Sequence, residues 1–271
     1  FNLSGELVNK VDFFIRDSDY SFTEQHAEEA HEEEEHHDED EDHDEHEGHS
    51  EGPTTFTNDA IEAGAIFDFS NSIVSQKFAI NFVNEDTAVI GAEAFMTPAS
   101  RDELTFGYYL SRSFDSFDLD FGVRYDMIDN EGSLVSEHHD EEEHHDEDED
   151  HEEEDHDEHE ESEVAYYDQS FKNSSIALNI GRELNDFLSV DFGFSSVERA
   201  PSTTEMFMNG AHLATARFEV GNVNLNSETS NNIDLTLNMK NGSFFAKATV
   251  FINDVDNLSL IHISEPTRPD E

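Results

Sequence analysis

The chain has 271 residues, no cysteine, and 67 Asp+Glu against 13 Lys+Arg, a formal net charge of -54. Phosphate binding needs clustered Lys and Arg, so this balance argues against nucleic acid as a partner and favours cations. Without cysteine there is neither a disulfide framework nor a thiolate metal site.

Taken in order, the sequence reads as short alternating apolar/polar runs broken by turn residues. Residues 1–8 and 11–22 are the first two, around a turn at Asn9-Lys10. The chain opens inside this pattern, so the lack of a signal peptide is expected to reflect an absent N-terminus. Residues 24–51 then consist almost wholly of carboxylates and imidazoles, with His26, His31, His36, His37, His43, His46 and His49.

Alternation resumes at Ile61, Ala63, Ala65, Phe67 and Phe69, turns at Asn71-Ser72, and returns at Phe78, Ile80 and Phe82. Residues 84–103 are mixed and read as a long link. Leu104, Phe106, Tyr108 and Leu110 form the next strand, which turns near Asp115-Ser116. From Phe117 to Met127 period two holds without a break. A helix would bring Asp118 onto the side of Phe121 and Tyr125, so the segment is a strand with one apolar and one polar face.

Residues 137–163 repeat the acidic composition, with His138, His139, His144, His145, His151, His156 and His159. Strands follow at 176–180 and 188–194, with a turn at 183–186. A long link, 197–230, leads to a strand at 233–239. Asn241-Gly242 is the strongest hairpin signal, since a type I′ turn needs positive φ at both central positions. Residues 244–252 return.

No run reaches the ~20 apolar residues of a membrane helix. A spanning β-strand needs only ~9–11 alternating residues. Short links alternate strictly with long ones, and in an antiparallel meander alternate links fall on opposite edges. Both acidic tracts and the 197–230 link therefore belong to one edge. Outer-membrane barrels have this form, with short turns on one side and long loops on the other. A soluble sandwich or up-and-down barrel also alternates; the parity, the abundant Phe and the absent Cys favour the membrane barrel. About ten strands are expected.

The tracts suit borderline divalent cations, because imidazole and carboxylate together favour zinc, with nickel and copper as competitors. No fixed ligand spacing singles out one site. Each tract reads as an array of weak, exchangeable sites with carboxylates steering the cation inwards. A solvated acidic spacer is the bland alternative, but it would not need seven histidines in each loop.

Residues 198–237 carry R-A-P-S, then Glu-Met-Phe, Gly-x-His, Phe-Glu-x-Gly-Asn, Leu-x-x-Glu and Ser-x-Asn-x-Asp-Leu. Arg199, Pro201, Ser202, Glu205, Phe207, Gly210, His212, Phe218, Glu219, Gly221, Asn222, Leu225, Glu228, Asn232 and Asp234 match in order. This segment resembles the late-barrel signature of TonB-dependent outer-membrane receptors, and residues 91–110 fit more loosely. The Gly-x-His and the His/Asp/Glu loops look like the zinc-uptake branch.

The resemblance implies an all-β fold, a fragment of a transmembrane antiparallel β-barrel of 22 strands in the plugged size class. Residues 1–257 would be the middle-to-late barrel, with loops at 24–53 and 137–165. A plug domain, the TonB-contacting segment, the early strands and the closing strand would lie outside this chain. The implied function is import of zinc or a similar divalent metal, with the metal as cargo and no catalytic cofactor. Partners would be the TonB complex through the plug, the cation and outer-membrane lipid. His212 joins the metal candidates as a lumen ligand, with Glu205 and Glu219 weaker. Arg199, Pro201, Asn222 and Asp234 read as architecture.

Residues 258–269 resemble an in-frame translation of a transposase-type sequencing adapter, so 258–271 are set aside as a non-native tail. Three rivals stand beside this reading. One is a receptor for a metal chelate, siderophore or haem, although haem wants a histidine in an apolar pocket. Another is a soluble or cell-surface metal buffer. An enzyme is the third, but the chain has no nucleophile elbow, P-loop or dinucleotide motif.

Overall fold

The computed structural model describes residues 8–24, 52–91, 94–136, 163–212, 217–259 and 262–264. In chain order the elements are β1 (Lys10–Glu24), β2 (Thr54–Asp68), β3 (Val74–Gly91), β4 (Ala99–Ser113), β5 (Asp118–Ser136), β6 (Glu163–Asn185), β7 (Leu188–Arg199), α1 (Thr203–Phe207), β8 (Asn209–His212), β9 (Arg217–Val220), β10 (Glu228–Asn241), β11 (Phe244–Asp256) and β12 (His262–Ser264). Nine strands make one antiparallel sheet, β1-β2-β3-β4-β5-β6-β7-β10-β11, and β8, β9 and β12 make a second, small one. The tenth expected strand, 1–8, falls almost wholly outside the described residues.

Period-two alternation becomes two chemically different faces. Val11, Phe67, Phe78, Tyr108, Val123 and Ile176 lie in one cross-strand row. Along it the Phe67 and Phe78 rings sit 6.2 Å apart. Glu103, Arg124, Asp126, Asn232 and Asp234 stand on the opposite, polar face. The apolar face ends abruptly. Asp17, Ile61, Asn84, Asp102, Asp129 and Ser170 form one row in register, and Asp19, Asp59, Asp86, Ser100, Glu131 and Asp168 form the next.

Link parity holds among the described strands. Residues 69–73, 114–117, 186–187 and 242–243 are short turns at one edge, while 25–53, 92–98, 137–162 and 200–227 leave from the other. Asn71 builds the first turn by accepting from the N–H groups of Ile73 and Val74, both at 2.9 Å.

Four expectations are corrected. β3 runs on to Gly91 and β4 starts at Ala99, so the expected 84–103 link is only 92–98. β6 begins at Glu163, which ends the second acidic loop at 162 rather than 165. Beyond the apolar belt the outward face turns polar while the inward face packs in part on α1 and residues 95–96, so alternation fades while ladder hydrogen bonding continues. The last hairpin is shifted by one residue: Asn241 pairs with Phe244, and the two-residue turn is Gly242-Ser243. Of these two residues only Gly242 has positive φ, at 59°, as a type II′ turn requires. Finally, β7 runs to Arg199 and β10 starts at Glu228, so the expected 197–230 link is only 200–227. It contains α1, β8 and β9.

That link folds onto the polar face of the sheet. Met206 and Phe207 of α1 join Val89, Phe95, Met96 and Ala99 in the main buried cluster, with Phe56, Tyr167 and Phe171 around it. An isolated antiparallel bridge, Met96 to Met208, ties the 92–98 link to the same body. Residues 262–264, within the tail set aside above, pair with β9.

Candidate functional site

α1 starts where the sequence writes a capping box. The Ser202 hydroxyl accepts from the Glu205 N–H at 3.2 Å, and the Glu205 carboxylate accepts from the Ser202 N–H at 2.8 Å. Arg199, the last residue of β7, donates to both Glu205 oxygens, at 2.9 and 3.0 Å. It also reaches Glu228, the first residue of β10, at 3.3 Å. One guanidinium thus closes both ends of the link. Partial burial alone would raise the Glu205 carboxyl, but Arg199 and the Ser202 donors outweigh it and hold it at about 2. Glu205 is thereby committed to architecture rather than to a metal.

The wall supplies the remaining anchors. Asn130, fully buried on β5, donates to the Pro201 carbonyl at 2.9 Å, and Arg101 donates to the same oxygen at 3.1 Å. The Ser227 hydroxyl donates to the buried Asn173 side-chain carbonyl at 2.7 Å. The Asn209 amide reaches the Val135 carbonyl at 3.1 Å. Gly132 leaves the slot that Phe207 fills, since a Cβ there would lie 2.6 Å from the ring. Asn222 turns the chain as expected: its N–H donates to the Glu205 carbonyl at 3.0 Å, and its side chain accepts from Asn224 at 2.9 Å.

Sequence reasoning passed over Asn130, Gly132 and Arg101. Asp129-Asn130-Glu131-Gly132 has the composition of a turn, and nothing local says that a helix packs on it. The local signal for α1 is the capping box Ser202-Thr203-Thr204-Glu205.

β8 carries His212 opposite Arg217 of β9. Between this small sheet and the β5–β6 hairpin lies a cavity of about 350 Å³ lined by Leu134, Val135, Ala165, Tyr167, Met208 and Val220. His26, His31, His36, His37, His43, His46 and His49 of the first tract lie outside the described residues, as do His138, His139, His144, His145, His151, His156 and His159 of the second. Their anchor points are described. Glu24 and Thr54 flank the first tract and are cross-strand partners, as are Ser136 and Glu163 around the second. Both pairs stand at the edge from which the 200–227 link departs. On the outward face nearby, local desolvation and then the facing Asp19 raise the Asp59 pKa. Among the described residues no three His, Asp or Glu side chains are grouped so as to hold a metal ion. No helix among them is long and apolar enough to cross a membrane, which says nothing of strands.

A sequence profile of the family described as TonB dependent receptor-like, beta-barrel, matches residues 10–267. Among solved structures, the Serratia marcescens hemophore receptor HasR, a double mutant in complex with its hemophore HasA and heme, superposes with a TM-score of 0.59 at 15% identity, over 77% of this chain and 35% of that one. The copper transporter OprC superposes with a TM-score of 0.58 at 12% identity, over 93% of this chain and 38% of that one. The chain therefore spans little more than a third of the length of either structure.

Proposed function

The chain belongs to the TonB-dependent receptor β-barrel family, and from that premise we propose that it is part of an outer-membrane receptor importing a divalent metal ion, zinc foremost. The observation that carries the reading is the shared edge. Both His/Asp/Glu tracts depart from the same end of the sheet as the link bearing His212. A cation collected by the tracts meets that link next, before the lumen. The apolar face is the lipid contact, and the carboxylate rows above it mark where the bilayer stops.

Three steps follow. The tracts gather the cation through weak imidazole and carboxylate contacts; His212 contributes to a defined site; and TonB, acting on a plug outside this chain, opens the way inwards. Nickel and copper compete for the same donors. Protons compete too, so tract binding weakens below about pH 6. Isothermal titration of a peptide copying residues 137–163 tests the capture step. Zinc binding no tighter than that of its His→Asn version would remove it.

A receptor for a metal chelate is the second reading. It is favoured by the half-open, mixed apolar and polar cavity of about 350 Å³ beside β8 and β9, which a bare ion does not need, and by the heme in the HasR complex. Growth of receptor-bearing cells on free zinc or on haem as the limiting nutrient separates the two. A soluble metal buffer would need no apolar outward face. We read residues 258–271 as adapter-derived, and genomic DNA encoding them in frame would return them to the barrel.

A further inference from the structure

Resting on the receptor reading above, we propose that residues 200–212 and 217–227 are a fixed shelf and not a hinged gate. With residues 94–98 they move as part of the wall, and the His212 strand keeps one position over the polar face throughout transport.

Long links of a receptor are the obvious places for a lid, and a lid needs a seam that can open and a hinge that can turn. This link has neither among its described residues. It is tied to the wall at four separated points: Arg199 with Glu205, Asn130 and Arg101 with the Pro201 carbonyl, Asn209 with Val135, and Ser227 with Asn173. Under α1 the seam is filled, with Met206 and Phe207 fully buried, and the cavity of about 350 Å³ begins only beyond it, beside β8 and β9.

The glycines are not hinges. Neither Gly210 nor Gly221 has positive φ. Each instead permits close approach. A Cβ on Gly210 would lie 2.8 Å from Phe95, and one on Gly221 would lie 2.7 Å from the Met206 backbone. Residues 94–98 are locked in as well. The Asn209 N–H donates to the Phe95 carbonyl at 2.7 Å, and the Thr97 and Ser133 hydroxyls sit 3.1 Å apart. Opening the link would break all of these contacts together.

The chain has no cysteine, so paired cysteines can lock the seam without competing thiols from these residues. Met96 and Met208 are bridge partners, and antiparallel partners lie within disulfide reach. M96C/M208C ties the two links together. T97C/S133C ties the shorter link to β5, and it serves where the first pair fails to assemble. In the full-length receptor, fully crosslinked protein should import zinc within about twofold of its reduced form. A loss of tenfold or more that reductant reverses would overturn the proposal.

Hydrogen exchange on the purified receptor gives a second readout that does not involve zinc. The amides of Asn209, Gly221 and Asn222 should be protected like those of β5, whereas exchange at loop rates would contradict a fixed shelf. If the uncrosslinked receptor imports no zinc, the functional reading fails while the exchange result still decides the shelf.

Discussion

Adding one carbon to Gly132 would drive a Cβ to within 2.6 Å of the Phe207 ring. The ring is buried and cannot retreat without opening the seam, so Gly132→Ala is expected to cost about 1–3 kcal/mol as an overpacking change. Thermal unfolding of the purified receptor measures it, and an unchanged midpoint would mean that the slot is loose.

Glu205 predicts a pH dependence. Its folded-state pKa of about 2 lies below the ordinary carboxylate value of 4.5. The stabilisation is therefore fully present above about pH 4.5 and is lost as pH falls towards 2. Between pH 5 and 8 the Arg199 tie should not respond, and Glu205→Gln should remove the acid-range slope alone. A wild-type midpoint that falls between pH 7 and 5, and does not in the variant, would contradict this assignment. On the proposed reading, metal release near pH 6 would then belong to the histidines. His212→Ala should lower zinc uptake at unchanged receptor abundance, and unaltered uptake would strike it from the site.

At the scale of elements, the β5–β6 hairpin is the informative case. Its strands have 19 and 23 residues, whereas crossing a membrane takes only ~9–11. The surplus stands beyond the apolar belt and carries the second tract. Replacing residues 137–162 by an Asn-Gly turn between the partners Ser136 and Glu163 should leave the hairpin and receptor abundance intact. The zinc concentration for half-maximal uptake should rise, and an unchanged value would show that the tract captures nothing.

The same hairpin shows what the sequence can and cannot convey. From Phe117 to Met127 one face meets lipid and the other does not, so alternation is written plainly in the residues. From Asp129 to Ser136 the outward face meets water and the inward face meets α1, and the pattern dissolves although the strand continues. The two ends of the 197–230 link were legible to within three residues, because hairpin parity and an ordered motif both pointed to them. Its interior was not, because the partners of Met206 and Phe207 come from β3, β5 and the 92–98 link, far away in the chain.

For the molecule as a whole, the account turns on sidedness. The described strands put every short turn at one edge and every long link at the other. The outward face passes from aromatic rings to two rows rich in carboxylates on the way to the long-link edge. On the proposed reading, the flanking pairs Glu24/Thr54 and Ser136/Glu163 at that edge would put both tracts outside the cell. Single cysteines at Asp42 and Asp148, one in each tract, test this directly. In intact cells both should react with a maleimide reagent too large to pass porins. If either reacts only after the outer membrane is permeabilised, the two tracts do not share the outer rim and the capture mechanism fails.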